Sequence, residues 1–305
     1  MGLSADFQSY LSQLRFERKL SERTVDAYTR DLALLETLLE GQPYLQLQTA
    51  QARRLVARLH QRALNPRSIA RILSGWRGFY QWLCEQDKLA ANPLLGVRPP
   101  KIRKPLPEAL SVDDAVRLVA SGSDETPDDL ANKAMFELLY SSGLRVSELC
   151  SLDVTAVRDG DYQSAGWIDF SEGMVLVTGK GNKQRMVPVG KAALQALKLW
   201  LDARGERLSD DPYPLFLSQR GKRITPRMVQ QRIKQHAQML GIPADVHPHM
   251  MRHSFASHML QSSGDLRAVQ EMLGHSSLAS TQVYTALDFQ HLAAVYDKAH
   301  PRAKK

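Results

Sequence analysis

A proline-rich segment near position 100 constrains the fold of this chain more than any other feature. Four prolines lie between positions 99 and 107. Because proline fixes φ and has no backbone N–H, such a segment favours an extended connector over a helix or a central strand. The 305 residues also exceed the length of one ordinary single-core domain. We therefore predict an N-terminal domain over residues 1–95, a linker over 96–106 and a second domain over 107–305.

The N-terminal domain is predicted to be entirely helical. Ser21 can cap a helix whose apolar residues recur with a 3.6-residue period. Asn65 followed by Pro66 is a typical helix start, because proline is tolerated at the first helical position. The apolar stripe of the helix that follows consists of Ile69, Leu73, Trp76, Tyr80 and Leu83.

The second domain is predicted to contain one small sheet among helices. Residues 166–190 hold three short runs rich in β-branched and aromatic residues, separated by glycine-containing turns, which predicts three antiparallel strands. Ser111 can cap the first helix of this domain. Further helices are expected over 132–141, 144–152, 191–204, 225–240, 249–261, 265–273 and near 281–288. The fold class is therefore mainly α, with a helical N-terminal domain and an α-rich second domain that includes a small three-stranded antiparallel sheet.

The charge pattern favours a polyanionic partner. The net charge is +8, and basic residues are concentrated over 98–104, 180–185 and 220–227. Each cluster alone could be an ordinary solvated loop, but three in one chain favour a nucleic-acid surface. The candidate contacts to a nucleic-acid backbone are Arg98, Lys101, Arg103, Lys104, Lys183, Arg185, Arg220, Lys222 and Arg223.

The composition argues against a membrane or secreted protein. No apolar run approaches the roughly 18–20 residues that a membrane span needs, and the N-terminus does not resemble a signal peptide. The two cysteines, Cys84 and Cys150, suggest reduced thiols, so we expect a cytoplasmic protein.

The segment HPHMMRHSFASHML, residues 247–260, concentrates histidine and arginine. Pro248 suits a first helical turn, which would place His249 and Arg252 on one face. His249 and His253 have the spacing of a zinc helix, but no glutamate follows the first histidine and an arginine between two ligands would repel a dication. We therefore expect no metal here. Histidines that merely cap or pack the helix start remain an alternative.

Four other residues could carry chemistry. Arg145 follows the helix-breaking Gly143, and Glu148 lies one helical turn later, where its carboxylate can orient the guanidinium. Taken alone, such a pair is usually structural. The other candidates are Lys180 in a hairpin turn that lacks the P-loop pattern, His275 after a glycine, and Tyr284, which could equally be a core residue.

Together these residue types suit phosphoryl transfer without a cofactor. Two arginines can hold a phosphodiester by charge-assisted bonds, a lysine can protonate a leaving alkoxide, and a tyrosine can attack phosphorus. Histidine can act as the base near neutral pH. No carboxylate cage for Mg²⁺ is apparent, and we expect neither metal nor cofactor.

Four segments resemble the signature boxes of the tyrosine site-specific recombinases, the phage integrase family. In chain order they are GLRVSEL, GKGNKQRMVPVG, HPHMMRHSFASHML and LGHSSLASTQVYT. The full length resembles the bacterial Xer type, and the C-terminal LDFQHLAAVYDKAHPRAK is most similar to the XerC branch. The resemblance implies a core-binding domain and a catalytic domain that clamp DNA through the linker.

The resemblance also implies the role of each candidate, with a 3′-phosphotyrosyl link as the intermediate. Two positions depart from the common family pattern, Ala286 after the YT pair and Ser280 before it, and they put only fine positioning in doubt. The implied roles are Arg145 and Arg252 as the phosphate clamp, Lys180 as the acid for the 5′-oxygen, His249 as the base toward Tyr284, His275 as a hydrogen-bond donor to the phosphate, Tyr284 as the nucleophile, and Glu148 as a supporting residue.

The implied biological role is the resolution of chromosome dimers before cell division. The implied partners are double-stranded DNA with a dif-type site, a XerD-type recombinase in a heterotetramer, and a DNA translocase at the septum. The last helix, around 289–296, would dock into the neighbouring subunit, or alternatively pack on its own domain. A mobile-element integrase, a type IB topoisomerase-like enzyme and a catalytically silent DNA-binding protein remain alternatives.

Overall fold

The structure is a computed structural model in which the chain folds as two compact units. The first unit is Met1–Pro105 and the second is Leu106–Lys305, and each has its own hydrophobic core. The residues that the structure describes are 4–101, 109–179, 183–205, 211–274 and 286–303.

The first unit is helical throughout its described part. Its longest helix starts where the sequence predicts, because the Asn65 side chain accepts a hydrogen bond from the backbone of Arg67 at 2.9 Å. Trp76 is fully buried in this helix and donates its indole N–H to the backbone carbonyl of Asp31 at 2.6 Å, which joins two helices. The helices are α1 (Ala5–Phe16), α2 (Glu22–Leu39), α3 (Thr49–Gln61) and α4 (Pro66–Glu85), with a 3₁₀ turn at Tyr44–Gln46.

The second unit holds the remaining helices of the described residues. Polar side chains begin most of them by accepting a bond from a backbone N–H of the first turn, as Ser111 does from Asp114 at 3.0 Å. His247 caps its helix in the same way, since its Nδ1 accepts from the Met250 N–H at 3.1 Å. The helices are α5 (Val112–Ala120), α6 (Pro127–Ser142), α7 (Val146–Cys150), α8 (Lys191–Arg204), α9 (Pro226–Met239), α10 (Pro248–Ser263), α11 (Leu266–Leu273) and α12 (Ala286–Ala299).

The strands lie between α7 and α8. The main sheet has the antiparallel order β3–β4–β5, and in it Val175 pairs with both Ile168 and Val187. All three of these side chains are buried, so one face of the sheet joins the core of the unit. The strands are β1 (Arg158–Asp159), β2 (Tyr162–Gln163), β3 (Gly166–Asp169), β4 (Met174–Thr178) and β5 (Gln184–Pro188).

The C-terminal segment completes the core of the second unit. Leu292 and Tyr296 of α12 are buried in that core, and the Tyr296 hydroxyl lies 2.7 Å from Oγ of Ser141 on α6. The His300 ring stacks on Tyr296 with ring centroids 4.8 Å apart. In the single chain this segment therefore packs on its own unit, which is the alternative left open above, and docking into a neighbouring subunit stays a prediction.

The predicted fold class is confirmed, including the three-stranded antiparallel sheet. Helix α6 begins at Pro127, before the predicted residue 132, because Thr126 and Asp129 cap each other's backbone N–H. The helix expected near 281–288 is found over Ala286–Ala299, while residues 281–285 lie outside the described residues. Among the described helices, none combines the length and the apolarity that crossing a bilayer requires.

Candidate active site

Arg145 is positioned by a sharp break between two helices. Helix α6 ends at Gly143, which adopts a left-handed conformation with φ +55°, and α7 follows directly. The backbone N–H of Arg145 donates to Oε2 of Glu148 at 2.7 Å, and its Nη1 donates to Oε1 at 2.8 Å. The Glu148 side chain is only 3% exposed whereas that of Arg145 is 34% exposed. The glutamate therefore holds the arginine from inside and leaves part of the guanidinium open to solvent.

Arg252 reaches the same place from α10. Its Nη1 donates to the backbone carbonyl of Gly143 at 2.5 Å, and its Nη2 donates to that of Leu273 at 2.5 Å. Nη1 also lies 4.0 Å from Oε2 of Glu148. Burial, together with the nearby charges of Arg145 and Arg185, lowers the pKa of Arg252 to about 10. The group therefore stays protonated at neutral pH.

Arg185 is the third guanidinium of the cluster, and it is buried on β5. Its Nη1 and Nη2 donate to Oε1 and Oε2 of Glu148 at 2.7 and 2.8 Å, and its Nε donates to the backbone carbonyl of Met272 at 2.8 Å. Burial alone would raise the pKa of Glu148, but the bonds and charge of Arg185, with those of Arg145, lower it to about 2. The sequence placed Arg185 among the DNA-backbone contacts, whereas its 5% exposed side chain is engaged inside the protein.

The arginine–glutamate cluster, defined as Arg145, Glu148, Arg185 and Arg252, can bind an anion. Three guanidinium groups and one carboxylate leave these four side chains with a net charge of +2. Each guanidinium is held by fixed acceptors, so little reorganisation is needed when an anion binds. A phosphodiester offers two non-bridging oxygens that share one negative charge and suit forked arginine bonds.

His249 lies three residues before Arg252 on the same helix, at the exposed first turn of α10. Its ring centroid is 6.4 Å from that of His247, which caps the helix. The capping alternative therefore describes His247, whereas the role of His249 as a base stays a prediction. Across the described ranges, no group of three or more His, Cys, Asp or Glu side chains is arranged to hold a metal ion.

Five predicted site residues fall outside the described residues, but two of their chain neighbours lie close to the cluster. A Cβ added to Gly274, the residue before His275, would lie 3.0 Å from Cδ of Arg185. A Cβ added to Gly179, the residue before Lys180, would lie 3.6 Å from both Nη1 of Arg185 and Oε1 of Glu148. The chain thus approaches the cluster immediately before two of the candidate residues. The five undescribed residues are Arg103, Lys104, Lys180, His275 and Tyr284.

Comparisons with known proteins decide the family. The model of the phage integrase family matches residues 108–291, and that of the phage integrase N-terminal SAM-like domain matches residues 7–87. The chain belongs to the phage integrase family. It is 54% identical over 307 residues to tyrosine recombinase XerC 1 of Ralstonia nicotianae, covering 97% of this chain and 93% of the relative. It is 46% identical to tyrosine recombinase XerC of Pseudomonas aeruginosa, with 99% and 97% covered.

Solved structures share the fold of this phage integrase family member. The XerH site-specific recombinase bound to a palindromic difH substrate is 19% identical with a TM-score of 0.67, covering 95% of this chain and 83% of that one. A lambda integrase dimer bound to a COC′ core site is 17% identical with a TM-score of 0.68, and 93% and 100% are covered. The predicted membership of the phage integrase family and the predicted tyrosine recombinase activity are both confirmed by the family and the relatives.

The remaining basic candidates of this recombinase divide into exposed and internally bonded residues. Arg223 donates to the buried Asp153 carboxylate at 2.6 Å, to the Leu152 carbonyl at 3.0 Å and to the Tyr162 hydroxyl at 2.9 Å. Its side chain is half-buried, and these bonds join it to other groups of the second unit. The exposed candidates, whose contacts with DNA stay a prediction, are Arg98, Lys101, Lys183, Arg220 and Lys222.

Proposed function

We propose that this recombinase exchanges DNA strands at a dif-type chromosomal site with a XerD-type partner, and so resolves chromosome dimers before cell division. The relatives named XerC, which match over nearly the whole chain, support this role. The arginine–glutamate cluster is the observation that carries the proposal, because it provides a preorganised site for one phosphate. The reaction takes place on chromosomal DNA in the cytoplasm.

Arg145 and Arg252 hold the scissile phosphate in this proposal. Their guanidinium groups approach Glu148 from two different helices, and Gly143 and Leu273 fix Arg252 through backbone carbonyls. The two positive charges stabilise the extra negative charge that develops on the phosphate oxygens as the nucleophile attacks. Because both groups are already held in place, binding does not have to order two long side chains.

The remaining roles follow the family resemblance. Tyr284 attacks phosphorus through its phenolic oxygen, His249 accepts the phenolic proton, and His275 donates a hydrogen bond to the phosphate. Lys180 gives a proton to the departing 5′-oxygen, which leaves a 3′-phosphotyrosyl link and a free 5′-hydroxyl. Attack by a 5′-hydroxyl of another strand reverses these steps. The ester conserves the bond energy, so no cofactor or nucleotide is consumed.

The partners complete the proposed reaction. Two copies of this chain and two of the XerD-type recombinase form a heterotetramer on paired sites, and a septal DNA translocase activates it. Docking of the segment around 289–296 into the neighbouring subunit would link the subunits.

The test is a nicked duplex that carries the dif-type site of the host chromosome. Attack next to the nick releases a short strand that diffuses away, so the phosphotyrosyl adduct accumulates and resists denaturant. We expect an adduct with the unchanged chain and none with Tyr284→Phe, although that variant should bind the same DNA with unchanged affinity. An adduct formed by Tyr284→Phe would refute the assignment of the nucleophile.

A plasmid with two sites distinguishes recombination from topoisomerase activity. With the XerD-type partner present, we expect plasmids that have exchanged or deleted the DNA between the two sites. Relaxation of supercoils without any exchanged product would contradict the proposed function.

A further inference from the structure

Arg185 connects three parts of the second unit that the proposed mechanism needs together. Its guanidinium binds both oxygens of Glu148, its Nε binds the Met272 carbonyl at the end of α11, and its Cδ lies against Gly274. None of the roles assigned above uses this residue. Its side chain is buried, so it does not contact DNA in this conformation.

We propose that Arg185 is a positioning residue of the catalytic site, which sets the phosphate clamp and the end of α11 in one fixed arrangement. The inference rests on the proposed function, because it names how one internal residue supports the same reaction. Arg185 does not touch the phosphate. It acts through Glu148 on Arg145, and through the last turn of α11 on Arg252 and on the segment that begins after Gly274.

The first contact fixes the carboxylate that orients Arg145. Each oxygen of Glu148 accepts one bond from Arg185 and one from Arg145: Oε1 from the two Nη1 atoms, and Oε2 from Nη2 of Arg185 and the backbone N–H of Arg145. The two parallel bonds of a guanidinium fork hold the plane of a carboxylate, which a single bond does not. Without Arg185, the carboxylate could rotate and Arg145 would move with it.

The same contact also balances charge. Arg185 supplies a full positive charge against Glu148, so the carboxylate is neutralised without using Arg145 or Arg252. Arg145 then keeps one side-chain bond to Glu148 and Arg252 only a 4.0 Å approach to it, so the carboxylate competes less with a phosphate for these two groups. If Arg185 were lost, Glu148 would draw Arg145 and Arg252, and it would compete with the substrate for them.

The second contact joins two arginines at the end of α11. The carbonyls of consecutive residues, Met272 and Leu273, accept from Arg185 and Arg252 respectively. These carbonyls lie at the negative end of the helix dipole, where positive groups are favoured. Gly274 follows in a left-handed conformation with φ +65°, and its open α-carbon leaves room for the Arg185 side chain. The chain that continues from this point carries His275 and Tyr284.

The test is single-turnover cleavage of the nicked dif-type duplex, with the XerD-type partner present and DNA saturating. Arg185→Lys keeps the positive charge but cannot form the two parallel guanidinium bonds to Glu148. We expect its cleavage rate to fall about 10- to 100-fold, the effect typical of a small misplacement of catalytic groups. The Kd for the same DNA should change less than about threefold, since no DNA contact is lost.

Arg204→Lys is the matched control. Arg204 is equally buried in the same unit, and its guanidinium binds the carbonyls of Pro212 and Pro214 rather than any group of the cluster. Both variants should lower the melting temperature, but well below it only Arg185→Lys should slow cleavage. A purely structural role for Arg185 predicts equal effects in the two variants. Equal rates, or an Arg185→Lys rate within about threefold of the unchanged chain, would overturn the inference.

A second variant serves if Arg185→Lys does not fold. Glu148→Gln combined with Arg185→Gln removes one buried charge of each sign and leaves the cluster at its net charge of +2, so the unit should fold. We expect its cleavage to be at least tenfold slower than that of the unchanged chain, and the unchanged rate would overturn the inference. The unchanged chain distinguishes failure of the proposed function from failure of the positioning role. If the unchanged chain forms no adduct, the proposed function is wrong. If the unchanged chain and both Arg185 variants cleave at the same rate, only the positioning role of Arg185 is wrong.

Discussion

Gly143→Ala should destabilise the second unit more than an ordinary glycine substitution. Gly143 has φ +55°, a conformation that costs an alanine about 1–2 kcal/mol. A Cβ at this position would also lie 2.3 Å from Cδ1 and 2.8 Å from Cε1 of Phe255. Because Phe255 is fully buried, its ring cannot swing into solvent, and overpacking of this kind costs a further ~1–3 kcal/mol. The expected loss is therefore about 2–5 kcal/mol.

Gly264→Ala provides the matched control for backbone strain alone. Gly264 ends α10 with φ +68°, and nothing lies within 4 Å of its added Cβ. It should therefore cost only about 1–2 kcal/mol. For a unit of this size, about 1 kcal/mol lowers the melting temperature by roughly 2–4 °C, so the two variants should separate clearly in thermal unfolding followed by circular dichroism. Equal melting temperatures would refute the steric argument.

The same substitution should affect catalysis, because the Gly143 carbonyl accepts a bond from Arg252. At a temperature where both variants are folded, Gly143→Ala should slow adduct formation by at least tenfold, whereas Gly264→Ala should not. Unaltered cleavage by a destabilised Gly143→Ala protein would show that the position of this carbonyl does not govern the phosphate clamp.

Two further predictions concern charge. The pKa of Glu148 is lowered to about 2 in the fold, so its ionised form adds about 3 kcal/mol of stability above its ordinary pKa near 4.5, and this is lost as the pH falls from there toward 2. Between pH 7 and pH 3, the free energy of unfolding measured with urea should therefore change less for Glu148→Gln than for the unchanged chain. The same change in both proteins would contradict this account. In DNA binding, Lys183→Gln and Lys222→Gln should each reduce the slope of log affinity against log salt concentration by about 1. Arg223→Gln should lower the melting temperature and leave that slope unchanged, because Arg223 is bonded to Asp153, and a reduced slope would show that Arg223 contacts DNA.

Local signals in the sequence predict most elements, because each start or end depends on nearby residues. Asn65 begins α4 because its side chain accepts a hydrogen bond from a backbone N–H of the first turn, and Pro66 suits the first helical position because it has no backbone N–H to satisfy. Both effects are independent of the rest of the fold. The strands are equally local, since turn glycines separate their β-rich runs. Helix α6 began earlier than predicted because a threonine and an aspartate, rather than an apolar stripe, set its first turn.

The inward position of Arg185 was predictable in part. Arg185 and Val187 are two residues apart on one strand, so their side chains share a face, and Val187 is fully buried. A buried guanidinium needs hydrogen-bond acceptors inside the protein, and a buried carboxylate is the acceptor that also neutralises its charge. The alternation of side chains along β5 therefore places Arg185 on the buried face of the sheet, which argues against a contact with DNA. The identity of that partner, Glu148, depends on how α7 packs against β5, which no local pattern reveals.

Glu148 explains how a site can hold three arginines without pushing them apart. Burial lowers the pKa of Arg252 to about 10, and repulsion by the positive charges of Arg145 and Arg185 adds to this effect. The Glu148 carboxylate, which all three arginines approach, offsets this repulsion. Arg185 interacts with it most strongly, because its guanidinium binds both carboxylate oxygens. Arg185 binds Glu148 through both of its terminal nitrogens, whereas Arg145 gives Glu148 one side-chain bond and Arg252 approaches it only to 4.0 Å. The positive charge that remains available is therefore on Arg145 and Arg252, the two groups that the proposed reaction needs.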